Sequence, residues 1–252
     1  MANGTGDGAR WVEVAPERLA SWLESFGSRH GEPVAESAES GGTGEAGSEG
    51  GLTGTGGTSE TATSAGTDGV SVVTFRAPDG AVAECHVPFP PLPASGGAPS
   101  ADQIAAHATS DRTVGVLLVR LGGYAAGVFT GEPPRLVASK VGARPVHGRS
   151  AAGGRSQQRF ARRREGQARV ALAAAADVAA AILVPAADRL DAVVLGGDRR
   201  AADTVLADPR LAPLRSLVVP ARLDVPDPRL RVLQQTPGQF RAIRIWVVDH
   251  GG

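Results

Sequence analysis

"SAAGGRSQQRFARRREGQARVALAAAADVAAAIL", residues 150–183, joins a glycine-bearing segment to a long run of Ala, Leu, Arg and Gln that contains no proline. That composition predicts a helix from Gln157 to Leu183, with Ser156 where an N-cap belongs. Gly153 and Gly154 follow "HGRSAA", which has no large apolar anchor, so residues 147–154 are expected to form an exposed loop. Gln157 and Gln158 then fall in the first helical turn, where unpaired backbone N–H groups and the positive end of the dipole favour phosphate or developing negative charge. At about 100° per residue Arg159, Arg162 and Arg169 project within about 80° of one another, and Arg155 joins them if the turn extends back to it. They form a basic stripe, although an exposed arginine face in an arginine-rich chain is equally accounted for as solvated surface. Gly166, about 1 kcal/mol worse than Ala in mid-helix, is either a bend or a tolerated substitution.

Outward from this helix the pattern is that of an α/β (α+β) fold with a mixed sheet flanked by helices. "TVGVLLVRLGGYAAGVFTG" and "RLVASKVGARPV" precede it as strands, and "AVVLGG", a short helix near Arg200 and "SLVVP" follow. At the N-terminal side Leu19, Trp22, Leu23 and Phe26 have helical spacing between Pro16 and Gly31. Residues 35–69 are Gly, Ser, Thr and Glu with almost no large apolar side chain, so an acidic disordered insert is expected there. "VSVVTFRAPDGAVAECHVPF" reads as a β-hairpin about Pro78-Asp79-Gly80. The last segment, "RLRVLQQTPGQFRAIRIWVVDH", is expected to give two strands about Pro237-Gly238 that pack with the hairpin at 70–87. The expected division is 1–111 as helix, insert and hairpin, 112–222 as the α/β domain, and 223–252 as the C-terminal strands. The outer two are small β/α attachments.

Composition narrows the function classes. Forty-two per cent apolar residues suffice for a buried core, and a single cysteine, Cys85, excludes an internal disulfide. Cys85 stands beside His86 without the paired spacing of a metal site, so no metal and no cofactor is expected. No apolar stretch reaches the roughly 20 residues needed to span a bilayer, and no leader opens the chain, so a cytoplasmic protein without membrane partners is expected. The net charge of zero hides a segregation. Glu32 to Phe75 holds seven acids and no base, whereas Arg144 to Arg169 holds eight arginines against Glu165 alone. The second segment suits a polyanion.

"GGRSQQRFARRREGQ" resembles the loop and helix of the peptidyl-tRNA hydrolysis domain in eukaryotic and archaeal class-1 release factors. There a Gly-Gly-Gln tip precedes a helix that begins with a Ser and an Arg-Phe-Ala-Arg run, here Arg159-Phe160-Ala161-Arg162. The order of elements is similar too: two strands before the loop, a long helix after it, and a strand ending in Gly196-Gly197. The similarity covers about residues 112–222. Arg155 stands where the strict tip has glutamine, and Gly154-Arg155-Ser156-Gln157 is closer to the Vms-like release-factor branch, whose tip reads Gly, a variable residue, Ser or Ala, then Gln. The resemblance implies a peptidyl-tRNA hydrolase with Gln157 as the catalytic residue and Gln158 as the alternative. It further implies a loop of Gly153, Gly154, Arg155 and Ser156, with the large ribosomal subunit, rRNA and peptidyl-tRNA as partners and no DNA.

Glutamine has no useful acid or base form, so its amide or the adjacent backbone N–H would orient water and stabilise charge on the ester carbonyl rather than abstract a proton. Arg144, Arg149, Arg155, Arg159, Arg162, Arg163 and Arg169 are the candidate RNA-binding residues. With no counterpart of a decoding domain in the first 111 residues and no GTPase-binding domain after them, the expected role is codon-independent rescue. A non-catalytic ribosome- or RNA-binding factor that uses the same stripe is the alternative. His147 lies close to the tip, but a lone loop histidine is more often simply exposed. "LGGD" at 195–198 lacks the lysine and hydroxyl of a phosphate loop. Asp111, Glu132, Asp191 and Asp198 are read as caps and turn residues rather than metal ligands, and Asp177 as a surface or capping partner. Trp11, Trp22 and Trp246 lie outside the basic segment and are assigned to core packing.

Overall fold

The computed structural model describes residues 8–39, 69–93, 97–120, 122–143 and 156–249; for 37–39, 69 and 156–164 it describes the backbone path. The chain forms two compact units, the first made of residues 1–104 with 243–252 and the second of residues 105–242. The fold is mixed α/β, with two sheets and flanking helices.

In the first unit β1 (Ala9–Val14), β2 (Val34–Glu39), β3 (Gly69–Arg76), β4 (Val82–His86) and β11 (Ile243–Val248) form an antiparallel sheet in the order β1-β11-β4-β3-β2, and the short β5 (Leu92–Pro93) pairs with β3. The closing strand therefore lies between β1 and β4. One face of β11 is buried through Ile243, Ile245 and Val247, while Arg244, Trp246 and Val248 alternate on the open face. A 3₁₀ turn over Pro16–Arg18 leads into α1 (Leu19–His30), which buries Leu19, Leu23 and Phe26 and stops at Gly31 with φ of 89°. His30 at its last position meets the carboxylate of Asp79 in the β3–β4 turn at 2.8 Å and that of Asp249 after β11 at 3.4 Å. The Ala81 N–H and then His30 hold the Asp79 carboxyl below the ordinary aspartate range. Cys85 is buried on the closed face, which pushes its thiol up to about 12.

After α2 (Ala101–Ala108), which spans the boundary between the units, the second unit is built on β6 (Val114–Arg120), β7 (Gly123–Thr130), β8 (Arg135–Ala143), β9 (Ala192–Gly197) and β10 (Val218–Leu223). Their order is β10-β9-β6-β7-β8; β10, β9 and β6 run parallel, and β7 and β8 antiparallel. β6 is buried at Val114 to Val119 because helices cover both of its faces. On one side α3 (Ser156–Leu183), α4 (Arg199–Leu206) and 3₁₀ turns over Val184–Arg189 and Pro209–Leu217 enclose Leu117, Val119, Tyr124, Ala126, Val128, Val193 and Leu195. On the other, α5 (Leu230–Phe240) brings Phe240 to Phe129, ring centroids 5.7 Å apart and edge-on.

Several expectations are corrected. The segment read as two strands about Pro237-Gly238 is α5 followed by the single strand β11. Proline leaves the Leu233 carbonyl without its helical donor, and the Thr236 hydroxyl donates to that oxygen at 2.7 Å, so the helix survives Pro237 inside it. Residues 35–39 are strand rather than disordered insert, paired with β3 from Ala35↔Phe75 to Glu39↔Val70, and Gly69 opens β3. Residues 40–68 lie outside the described residues. Three strands, not two, precede the loop region, because a turn through Gly122 at φ of 95° divides "TVGVLLVRLGGYAAGVFTG" into β6 and β7. β1 was not anticipated: six residues after a Gly-rich start carry too little alternation to read alone. The tryptophans are not core. Trp11 is 48% exposed, and Trp22 and Trp246 are half-buried.

Glu165–Arg189 is long and apolar enough, by length and composition, to cross a membrane, which corrects the expectation that no stretch reaches that length. In the fold, however, Ala171, Ala175, Ala176, Val178, Ala179 and Leu183 are buried against the sheet, and Asp177 pairs with Arg210 at 2.8 Å. That is the pattern of a core helix.

Candidate functional site

β8 ends at Ala143 and α3 begins at Ser156, so these two elements bracket the segment that carries the candidate tip. Arg144, His147, Arg149, Gly153, Gly154 and Arg155 lie outside the described residues. Ser156 opens the helix, and Gln157, Gln158, Arg159, Arg162 and Arg163 follow within its first two turns or just beyond. Arg169 is exposed further along the same helix. The structure thus carries a backbone path for the glutamines and most of the arginines.

α3 is 28 residues, about 42 Å at 1.5 Å per residue. Its first buried position among the described side chains is Ala171; Glu165, Arg169 and Val170 are exposed, Val170 at 57%. From Ala171 onward alanines at helical spacing let the backbone approach β7 closely. Ser156 is thus about 22 Å along the axis from Ala171, counting 15 residues. At Gly166 an added Cβ would meet nothing within 4 Å, so no packing requirement accounts for glycine there.

The stem on the β8 side is tightly specified. Gly142 pairs with Tyr124, and a Cβ at 142 would fall 2.6 Å from both Cζ and Oη of that ring and closer still to Cε2. Tyr124 is 8% exposed and belongs to the cluster that anchors α3. Tyr124 therefore sets the β8 stem and shares a buried cluster with the second half of α3, and Gly142 is required by that ring. Sequence reasoning missed this pair; the only signal was a glycine in an otherwise good strand.

Two of the four acids read as caps and turn residues accept backbone N–H groups. Asp198 accepts from the Ala201 N–H at 2.8 Å at the start of α4, and Asp191 accepts from the Thr113 N–H at 2.7 Å. Glu132 lies 3.1 Å from Arg241. Among the described residues no three His, Cys, Asp or Glu side chains converge as a metal site. Gly197 adopts φ of 88° and its missing Cβ would collide with the Val119 carbonyl, so Gly196-Gly197 answers to strand packing.

The family model described as "Actinobacteria/chloroflexi VLRF1 release factor" matches residues 112–246, more than half of the chain. The chain belongs to this release-factor family. Membership gives it a translation-related role. No curated protein matches. Among solved structures the chain is similar to the archaeal translation termination factor aRF1, at 16% identity over 66% of this chain and 51% of that one, with a TM-score of 0.37. It is also similar to a structure described as the "Vms1 mitochondrial localization core", at 9% identity over 72% of this chain and 77% of that one, with a TM-score of 0.39. The release-factor chain thus spans about half the length of the archaeal factor.

Proposed function

We propose that this release-factor family member is a cytoplasmic peptidyl-tRNA hydrolase that frees nascent chains from stalled ribosomes or large subunits without reading a codon, with residues 112–222 as its catalytic region. The support that carries this reading is the family match over residues 112–246, which includes the Gly154-Arg155-Ser156-Gln157 order and the helix after it. Gln157, or Gln158 one position on, orients the attacking water and supports charge developing on the ester carbonyl; the carbonyl–ribose bond breaks and the tRNA hydroxyl leaves with a proton. Gly153 and Gly154 admit the tip to a narrow RNA-lined site, and Arg144, Arg149, Arg155, Arg159, Arg162, Arg163 and Arg169 contact rRNA and tRNA phosphates. The long α3 suits such insertion, since about 20 Å of helix separates the glutamines from Ala171, the first buried position among its described side chains.

The test is release of labelled peptide from purified ribosome-bound peptidyl-tRNA, comparing the intact protein with Gln157→Ala and Gln158→Ala at matched occupancy. Loss confined to Gln157→Ala is expected; loss confined to Gln158→Ala moves the tip register by one. An intact protein that binds and releases nothing overturns the hydrolase and leaves a binding factor.

A further inference from the structure

The open face of the first unit's sheet carries a constellation that peptide release does not use. The strand registers set Trp11 opposite Trp246, Trp246 opposite Glu84, Glu84 opposite Thr74 and Thr74 opposite Glu36, which places these five side chains in one row across the sheet. The adjoining row holds Glu13, Arg244 and His86. Trp11 lies 5.1 Å from Trp246 at 51° and 5.0 Å from His86 at 60°, so the rings are tilted and leave faces uncovered. On this face one cation is already held between an indole and a carboxylate: Arg244 sits 4.7 Å from the Trp11 ring centre, with Glu13 at 3.9 Å from its Nε.

Trp246 and Glu84 repeat that combination one strand over without a resident cation. Glu84 makes no ion pair among the described residues. Its neighbour His86 is held toward the neutral form, since burial lowers its pKa against the opposing pull of Glu84, and Arg244 adds to the lowering. We propose that this row docks a basic protein segment, with an arginine or lysine side chain laid against Trp246 and countered by Glu84. The charge on the face favours a cation over nucleic acid. Arg76 is engaged by Glu36 at 3.6 Å and Arg244 by Glu13, so a phosphate approaching the tryptophans meets the unpaired Glu84 and no uncommitted arginine in either row. An aromatic centre within a rim of paired charges is also the usual make-up of a protein interface.

The experiment titrates the full chain with a blocked tetra-arginine peptide in 0.15 M salt and follows tryptophan emission. A saturable change is expected, weakened at least fivefold in Glu84→Gln and less than twofold in Glu36→Gln, whose carboxylate already serves Arg76. Thermal melts of both surface variants confirm that they are folded. Equal weakening in the two variants shows generic attraction to acidic charge and overturns the proposal, as does an unchanged affinity in Glu84→Gln. A uridine dodecamer that alters the emission where the peptide does not would assign the row to RNA and equally overturn it. None of these outcomes depends on Gln157, so the docking site and the hydrolase stand or fall separately.

Discussion

On the proposed hydrolase reading, Gly142→Ala tests whether the β8 stem, rather than the candidate tip alone, sets release. The added methyl group would lie 2.6 Å from Cζ and Oη of Tyr124, far inside van der Waals contact, and the ring is packed among Ala126, Val128 and the buried face of α3. Either the ring swings or β8 shifts. Overpacking of this kind costs about 1–3 kcal/mol, which in a unit of this size lowers the melting temperature by about 3–10 °C. Ala143, the next residue, is the last of β8 before the tip-bearing segment, so a displaced stem is carried directly into it. A misplacement of about 1 Å at reacting groups can cost about a hundredfold in rate. Peptide release at 20 °C, where both proteins remain folded, is therefore expected to fall by about ten- to a hundredfold while ribosome binding changes little. Tyr124→Leu in the same protein should relieve the clash, so that the double variant melts higher than additivity predicts. Wild-type release and melting in Gly142→Ala would refute the reasoning, and additive losses would show that Tyr124 is not the group displaced.

Other outcomes follow from single features. Gly166→Ala meets open space and should raise stability by up to about 1 kcal/mol, read as a higher melting temperature. Asp198→Ala removes the cap on the Ala201 N–H and should cost about 1 kcal/mol in urea denaturation. Burial depresses the His86 pKa, so the unfolded chain takes up the proton first. The contribution of neutral His86 is complete above the unfolded value near 6.5 and declines as pH falls through that value toward the folded one. Melting temperature should drop on acidification from pH 7.5, and His86→Gln should flatten that part of the profile.

Much of the second unit was legible because its signals are local. The proline-free run through Leu183, the apolar strands at Val114 and Ala192, and Asp198 before a short helix each speak through their own neighbours. What escaped depended on partners distant in sequence. Pro237-Gly238 reads as a turn unless the Thr236 hydroxyl is known to satisfy the Leu233 carbonyl, and residues 35–39 read as the start of an acidic disordered insert until β3 pairs with them. The tryptophans read as core because they lie outside the basic segment. Register places Trp11 and Trp246 on the open face instead, because each faces away from the side that buries Val14 and Ile245.

For the candidate site the division is different. Glutamine has no titration and makes no metal cluster, so neither spacing rules nor perturbed acidity could single out Gln157 or Gln158; only the resemblance of the Gly154-Arg155-Ser156-Gln157 order and the following helix to the release-factor tip did. The supports were invisible for the opposite reason, being ordinary residues in unusual contact. A Tyr–Gly pair on neighbouring strands carries no chemical signature, yet it fixes the end of β8, and Tyr124 shares a buried cluster with the second half of α3. If release depends on the placement of an uncharged amide, the residues that fix its approach should be nearly as sensitive as the amide itself. Gly142→Ala and Gln157→Ala are then expected to resemble each other in release and differ in stability, with only the first lowering the melting temperature.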